Sequence, residues 1–191
     1  MLPKGSISRV YEYYFTNPRF RGEIMRALRE FFDRPNLDSG GHLETSEKSE
    51  GFFNEWFLYD FELSYGGSIL ADFIMNNPLG ISEAEMILYH DLLKTNIYGM
   101  FEVKKIDINK SLTILNIQTG ETTRVSERKL THQTTLGDIF FGRIGKVGDH
   151  YELIGADTFS LVGINEAVKK SFRRMRSTLT PKIANEIWRR Q

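Results

Sequence analysis

The chain contains no cysteine, which removes in one step a disulfide framework, a zinc–thiolate site and a thiol nucleophile. It has no apolar run approaching the roughly 18 residues that span a bilayer. Its opening, Met1-Leu2-Pro3-Lys4-Gly5-Ser6, lacks the basic-then-apolar order of a signal peptide. Net charge is missing too: 25 Lys and Arg face 25 Asp and Glu, so the global balance points to neither a polyanion nor an acidic substrate. These absences predict a soluble cytoplasmic protein with no membrane attachment. A length of 191 residues predicts one compact domain, or one domain with helical additions, that folds without metal, disulfide or partner.

Local charge is uneven. From Glu30 to Glu62 nine acids face only Arg34 and Lys48, a net of −7. From Ile164 onward Lys169, Lys170, Arg173, Arg174, Arg176, Lys182, Arg189 and Arg190 face only Glu166 and Glu186, a net of +6. Such a split marks either a polyanion-binding tail or two parts of one molecule attracting each other, and the sequence leaves both open.

The N-terminal 35 residues read as a helical hairpin. Ile7, Val10, Tyr11 and Tyr14 suggest a short helix, and Asn17-Pro18 starts a second, with Phe20, Ile24, Ala27, Leu28 and Phe31 at helical spacing until Arg34-Pro35 stops it. Asn36 to Gly51 is polar and offers little to bury, which predicts a flexible linker. Residues 52–160 read as one folding cassette. Phe53, Phe57 and Phe61 stack four apart on an expected helix, Ser68 to Asn77 forms a short one, and Ser82 with Glu85 makes a capping box for a third.

After Ile97 the apolar period falls from near four to near two. Phe101-x-Val103 and Ile106-x-Ile108 alternate with a phase slip at Lys104-Lys105, which predicts a bulge. Leu112-x-Ile114, Thr123-x-Val125, Ile139-x-Phe141 and Tyr151-x-Leu153 follow, with turns at Thr119-Gly120 and Gly148-Asp149. The expected fold is therefore α+β: helices packed on a small five-stranded SH3-like β-barrel, with helical extensions at both ends. An open meander is the alternative. Residues 161–191 read as a basic helical pair, in which Lys169, Lys170, Arg173, Arg174 and Arg176 share one arc and Ile164, Val168, Phe172 and Met175 another.

The Glu55-Trp56-Phe57-Leu58-Tyr59-Asp60 block, the Ser82 helix and Gly137-Asp138-Ile139-Phe140-Phe141-Gly142-Arg143-Ile144 together resemble an uncharacterised bacterial family whose members often carry a C-terminal SEC-C zinc motif. The resemblance covers about the middle half of the chain. No cysteine is present to build the zinc module, and a basic helical tail stands in its place. The resemblance implies no catalytic residue.

The four histidines, His42, His90, His132 and His150, show no metal-binding spacing. Gly142-x-x-Gly145-x-x-Gly148 lies within a hairpin and lacks the Lys-Ser ending of a phosphate loop, so it reads as turn chemistry. Glu55, Asp60 and Asp72 are the one carboxylate set that could gather around magnesium, which makes a metal-dependent hydrolase the remoter reading. Neither a catalytic residue, a cofactor nor a metal is expected. The favoured reading is a non-catalytic binding or regulatory protein that takes nucleic acid through Lys169, Lys170, Arg173, Arg174 and Arg176, joined by Arg124, Arg128 and Lys129 on the barrel, with Tyr98 and Phe101 as aromatic platforms. The alternative is self-association, as a homo-oligomer, through an N-terminal arm carrying Tyr11, Tyr13, Tyr14, Phe15 and Phe20.

Overall fold

A computed structural model describes residues 3, 5–35, 37, 45–154, 166–174 and 178–189. The protein is α+β, with seven helices and five strands among these residues. Its contacts divide it into two units: Met1–Leu93 with Pro181–Gln191, and Lys94–Thr180.

The first unit is helical. In α1 (Ser6–Thr16) Val10 and Tyr14 lie one turn apart and both are fully buried. Asn17 ends it, and the Asn17 side chain accepts the Arg19 amide while Pro18 opens a single 3₁₀ turn leading into α2 (Arg21–Phe32). The start expected at Asn17-Pro18 is therefore present, in the tighter helical form. α3 (Glu47–Tyr59) begins well before its apolar block, because Ser46 accepts the Ser49 amide at 3.2 Å and Glu47 and Glu50 occupy the first turn, where the helix dipole favours acids. Residues 47–51, expected as the end of a linker, are helix; the rest of that linker, apart from Leu37, Thr45 and Ser46, lies outside the described residues. Their polar composition reflects a helical turn in which Ser49 is buried and hydrogen-bonded while Glu47 and Glu50 face solvent, rather than a lack of structure.

Phe53, Phe57 and Phe61 do stack at four-residue spacing, with ring centroids 5.6 Å apart at both steps. Trp56 tilts against Phe31 and Phe61 at 5.4 and 5.3 Å, so it is core and not a binding platform. The C-terminal helix α7 (Pro181–Arg189) belongs to this unit and packs on α3. Ser49 Oγ donates to Asn185 Oδ1 at 2.9 Å, and Lys182 Nζ donates to the Glu30 carbonyl at 2.7 Å. The two C-terminal helices thus fall in different units.

α4 (Ile69–Asn76) is capped by Ser68, which accepts the Ala71 amide, and ends at Asn77, whose φ of 40° puts it in the left-handed region. The Asn77 side chain then bonds both the amide and the carbonyl of Ile81. α5 (Glu83–Thr95) takes half of its expected capping box: Ser82 Oγ accepts the Glu85 amide at 3.3 Å. The Glu85 carboxylate reaches α1 instead, where it accepts from Ser6 Oγ at 3.2 Å and Arg9 Nη2 at 2.8 Å. Tyr89 Oη donates to the Ser6 carbonyl, and Tyr14 Oη to Asp72 in α4. These bonds seat α1 inside the unit. It is not a free arm.

The second unit is a sheet of β1 (Ile97–Asp107), β2 (Ser111–Asn116), β3 (Thr122–Ser126), β4 (Ile139–Val147) and β5 (His150–Leu153), with α6 (Glu166–Arg174) after it. The pairing order is β1-β2-β3-β5-β4, and β4 pairs back onto β1, so the sheet closes on itself. Only the short β3–β5 step is parallel. The phase slip expected at Lys104-Lys105 is a register shift between Val103 and Lys105. It lets one long strand serve two neighbours: Ile97–Glu102 pairs with β4 and Phe101–Asp107 with β2.

Phe101, Val103, Leu112, Ile114, Val125, Phe140 and Ile144 fill the interior. Each such side chain contributes on the order of 1.5–3 kcal/mol by leaving water. Gly99 and Gly142 face each other across β1 and β4, and rings cover both: a Cβ on Gly99 would meet Asn116 Nδ2 at 3.0 Å and Phe101 Cζ at 3.1 Å, and one on Gly142 would meet the Phe140 ring at 3.3 Å. Gly142 is therefore a close-approach glycine, whereas Gly148, at φ 67°, is the turn glycine. Arg143 is buried in β4, where it donates to Asn96 Oδ1 and lies 5.4 Å from the Tyr98 ring centroid.

Candidate functional site

α6 is oriented by Phe172, which is buried and meets the Phe141 ring at 5.9 Å. With that residue turned inward, Lys170, Arg173 and Arg174 are exposed, and among the described residues none of the three has an ion pair or side-chain hydrogen bond. Arg176, expected on the same arc, lies outside the described residues, as do Ile164, Met175 and His42.

Lys169 differs from its neighbours. Its ammonium is largely covered and lies 3.5 Å from Glu102 Oε2, while Lys104 Nζ donates to Glu102 Oε1 at 2.7 Å. Burial pulls the Glu102 carboxyl upward, but Lys104 and Lys169 outweigh it and hold it below the ordinary carboxylate value. Further along β1, Asp107 plays the same part: Lys105 Nζ lies 3.0 Å from Oδ1 and Arg124 Nη2 lies 3.5 Å from Oδ2. Lys105 first, and then Arg124, keep Asp107 ionised to lower pH than usual. Arg124 is also held by Nε donation to Ser111 Oγ at 2.9 Å.

Arg128 and Lys129 are exposed at the start of a 3₁₀ turn, Leu130–His132, that is tied to the β1–β2 turn. Thr131 Oγ1 accepts the Asn109 amide at 3.0 Å, and the His132 ring bonds Asn109 Oδ1 at 2.7 Å. The cations therefore form a series along β1, from α6 at Glu102, through Lys104, Lys105 and Arg124, to Lys110, Arg128 and Lys129 beyond Asp107. Five residue steps along the strand carry Glu102 to Asp107, a reach of about 17 Å. Lys104, Lys105 and Lys110 had no place in the sequence-level site; the lysines at the phase slip were read only for register.

Two expected platforms are not available. Phe101 is 1% exposed in the sheet interior and Tyr98 is 6% exposed beside Arg143. β1 is paired on both sides, which leaves no open edge to present them. Nor do the three carboxylates considered for magnesium assemble. Glu55 is buried in α3, Asp60 is exposed at the end of that helix, and Asp72 bonds Tyr14, Tyr65 and Asn76. Among the described residues no group of three or more His, Asp or Glu side chains could hold a metal ion, and no helix is long and apolar enough to cross a membrane.

Charge follows the division into units. Lys94–Thr180 carries 14 Lys and Arg against 9 Asp and Glu, and the remainder of the chain carries 11 against 16. The zero net charge is the cancellation of +5 and −5. No family model matches this chain, and neither a curated protein nor a solved structure does.

Proposed function

We propose that residues 94–180 form a nucleic-acid-binding module, with the closed sheet an SH3-like barrel and α6 its main contact for the phosphate backbone. The carrying observation is that α6 turns Phe172 inward while Lys170, Arg173 and Arg174 stay exposed and unneutralised among the described residues. Arg173 and Arg174 suit the last turn of α6, where the helix dipole favours cations, and a phosphate backbone would reward each exposed cation further by releasing condensed counterions. Lys104, Lys105, Arg124, Arg128 and Lys129 extend the contact along β1 and its turn. Buried Phe101 and Tyr98 supply no stacking, so binding is electrostatic and tolerant of sequence. The role is non-catalytic, and the cysteine-free chain suits a reducing cytoplasm. The resemblance to the SEC-C-associated bacterial family belongs to the same reading, with the basic tail replacing the zinc module.

Self-association through the N-terminal aromatics is the weaker alternative, because Tyr14 is fully buried and Tyr11 packs edge-on to Phe57 at 6.2 Å. Fluorescence anisotropy of the full chain with a labelled single-stranded oligonucleotide tests the proposal. Arg173→Glu/Arg174→Glu is expected to abolish binding while circular dichroism and melting stay unchanged. Undiminished binding by a folded double variant would overturn it.

A further inference from the structure

The helical unit contains a cleft of about 650 Å³, within the usual range of small-molecule sites. At its lining sits Asp72, 94% buried. Three donors reach this carboxylate, and all are neutral: Tyr14 Oη to Oδ2 at 2.5 Å, Tyr65 Oη to Oδ1 at 3.1 Å and Asn76 Nδ2 to Oδ1 at 3.0 Å. Among the described residues no cation pairs with Asp72. A buried carboxylate ordinarily has a cationic partner, and the amides at the start of α4 offer only about half a charge. Three bonds also leave one of its roughly four acceptor positions open. Burial, with Asp72 beside it, pushes the Tyr65 hydroxyl up to about 12, and burial with the Asp72 bond raises Tyr14 as well. Both hydroxyls therefore stay protonated donors at neutral pH, and a phenol carries no positive charge in either state.

The rest of the lining suits the same conclusion. Tyr13, Tyr14 and Phe20 form a ring cluster, with Tyr14 and Phe20 centroids 4.5 Å apart and Tyr13 edge-on to Tyr14 at 5.2 Å. Tyr65 lies 61% exposed on the Glu62–Ser68 loop, and its bond to Asp72 holds the ring at the edge of the cleft. The other carboxylate of the lining, Glu23, is already engaged by Arg26 at 2.6 Å and by the Ser64 amide. Aromatic faces around a carboxylate without a counter-ion are a setting for an organic cation.

We propose that this cleft binds a small molecule bearing a primary ammonium, which reaches Asp72 while its body lies against Tyr13, Phe20 and Tyr65. Arg19 lines the cleft too and has no ion pair among the described residues, so a carboxylate on the same ligand would find a partner there. This inference is independent of the nucleic-acid reading.

Three probes with one phenol ring separate the charges: tyramine, tyrosine and 4-hydroxyphenylacetate, each titrated into the full chain by calorimetry and protein-observed NMR, with butylamine as a ring-free amine. Saturable binding of tyramine at low-millimolar concentration or tighter, with shifts at Tyr65 and Asn76 and none from 4-hydroxyphenylacetate, is expected. Asp72→Asn keeps the shape and removes the charge, and should weaken tyramine by roughly tenfold or more. Tyr65→Ala removes a largely exposed ring together with one of the three donors to Asp72 and should weaken it several-fold, which guards against an Asp72 variant that does not fold. Tighter binding of tyrosine than of tyramine, lost in Arg19→Gln, would support an aminocarboxylate as the ligand. Absence of saturable binding by tyramine and by tyrosine, equal binding of the anion, or full affinity in folded Asp72→Asn would each overturn the proposal.

Discussion

The two units handle their charges in opposite ways. In the helical unit, acids outnumber bases, yet several charged groups serve its internal bonding: Glu85 clamps α1, Glu23 holds Arg26 and the Ser64 amide, and Lys182 meets the end of α2. In the sheet unit, bases outnumber acids, and two carboxylates, Glu102 and Asp107, each serve two cations, Lys169 of α6 among them, while Lys170, Arg173 and Arg174 have no ion pair among the described residues. A formally neutral chain can therefore carry a basic surface, provided the two signs are sorted into different folding units. What matters for binding is which cations remain after internal pairing.

The largest effects are expected from the two cores. Phe73→Ala in the helical unit and Phe140→Ala in the sheet unit each remove a ring at or below 1% exposure, and each should cost about 3–5 kcal/mol in urea denaturation. If only Phe140→Ala also abolishes oligonucleotide binding under folding conditions, the two units carry separate functions. Next in size is Gly99→Ala. With Asn116 and Phe101 atoms at 3.0–3.1 Å from the added carbon, a loss of about 1–3 kcal/mol is expected, against a gain of up to about 1 kcal/mol for Gly51→Ala, which lies within α3 and meets nothing. Ser46→Ala removes the α3 cap and should cost about 1 kcal/mol, confined to the helical unit in hydrogen exchange.

The smallest effect is the response to pH, and it sharpens the contrast from the other side. His150 is held between Asp149 and Glu152, each at 2.8 Å, and its pKa is raised, first by the bond to Asp149. A raised histidine stabilises fully below its ordinary value of 6.5 and loses that contribution as pH rises through the elevated value. Glu102, depressed, contributes fully above its ordinary 4.5 and loses it as pH falls through the lowered value. The sheet unit is thus expected to be firmest between these limits, a prediction checked by NMR titration of His150 and by amide exchange of β4 and β5. A His150 titration at or below 6.5 would contradict it.

Much of the local structure was legible in the chain. Ser68, Ser82 and Asn17-Pro18 mark helix starts that the structure bears out, and the slip at Lys104-Lys105 locates the bulge. What escaped depends on partners far apart in sequence. The start of α3 is polar because Ser49 meets Asn185, 136 residues away, and the Gly99–Gly142 approach is seen only once β1 and β4 are paired. Of the site, the exposed arc of α6 could be read from its period. The neutralisation of Lys169 and Arg124 could not, since Glu102 and Asp107 belong to another element. Nor could the cleft, whose Asp72 meets Tyr14 across 58 residues.

The central claim is that the cations of α6 bind a phosphate backbone, and the salt dependence of oligonucleotide binding tests it most directly. Three contacts from Lys170, Arg173 and Arg174 on a single strand contribute a slope of about −2 in log K against log salt. The account predicts at least that slope for the wild-type chain and its loss in Arg173→Glu/Arg174→Glu. Binding independent of salt, or a slope unchanged in the folded double variant, would contradict it.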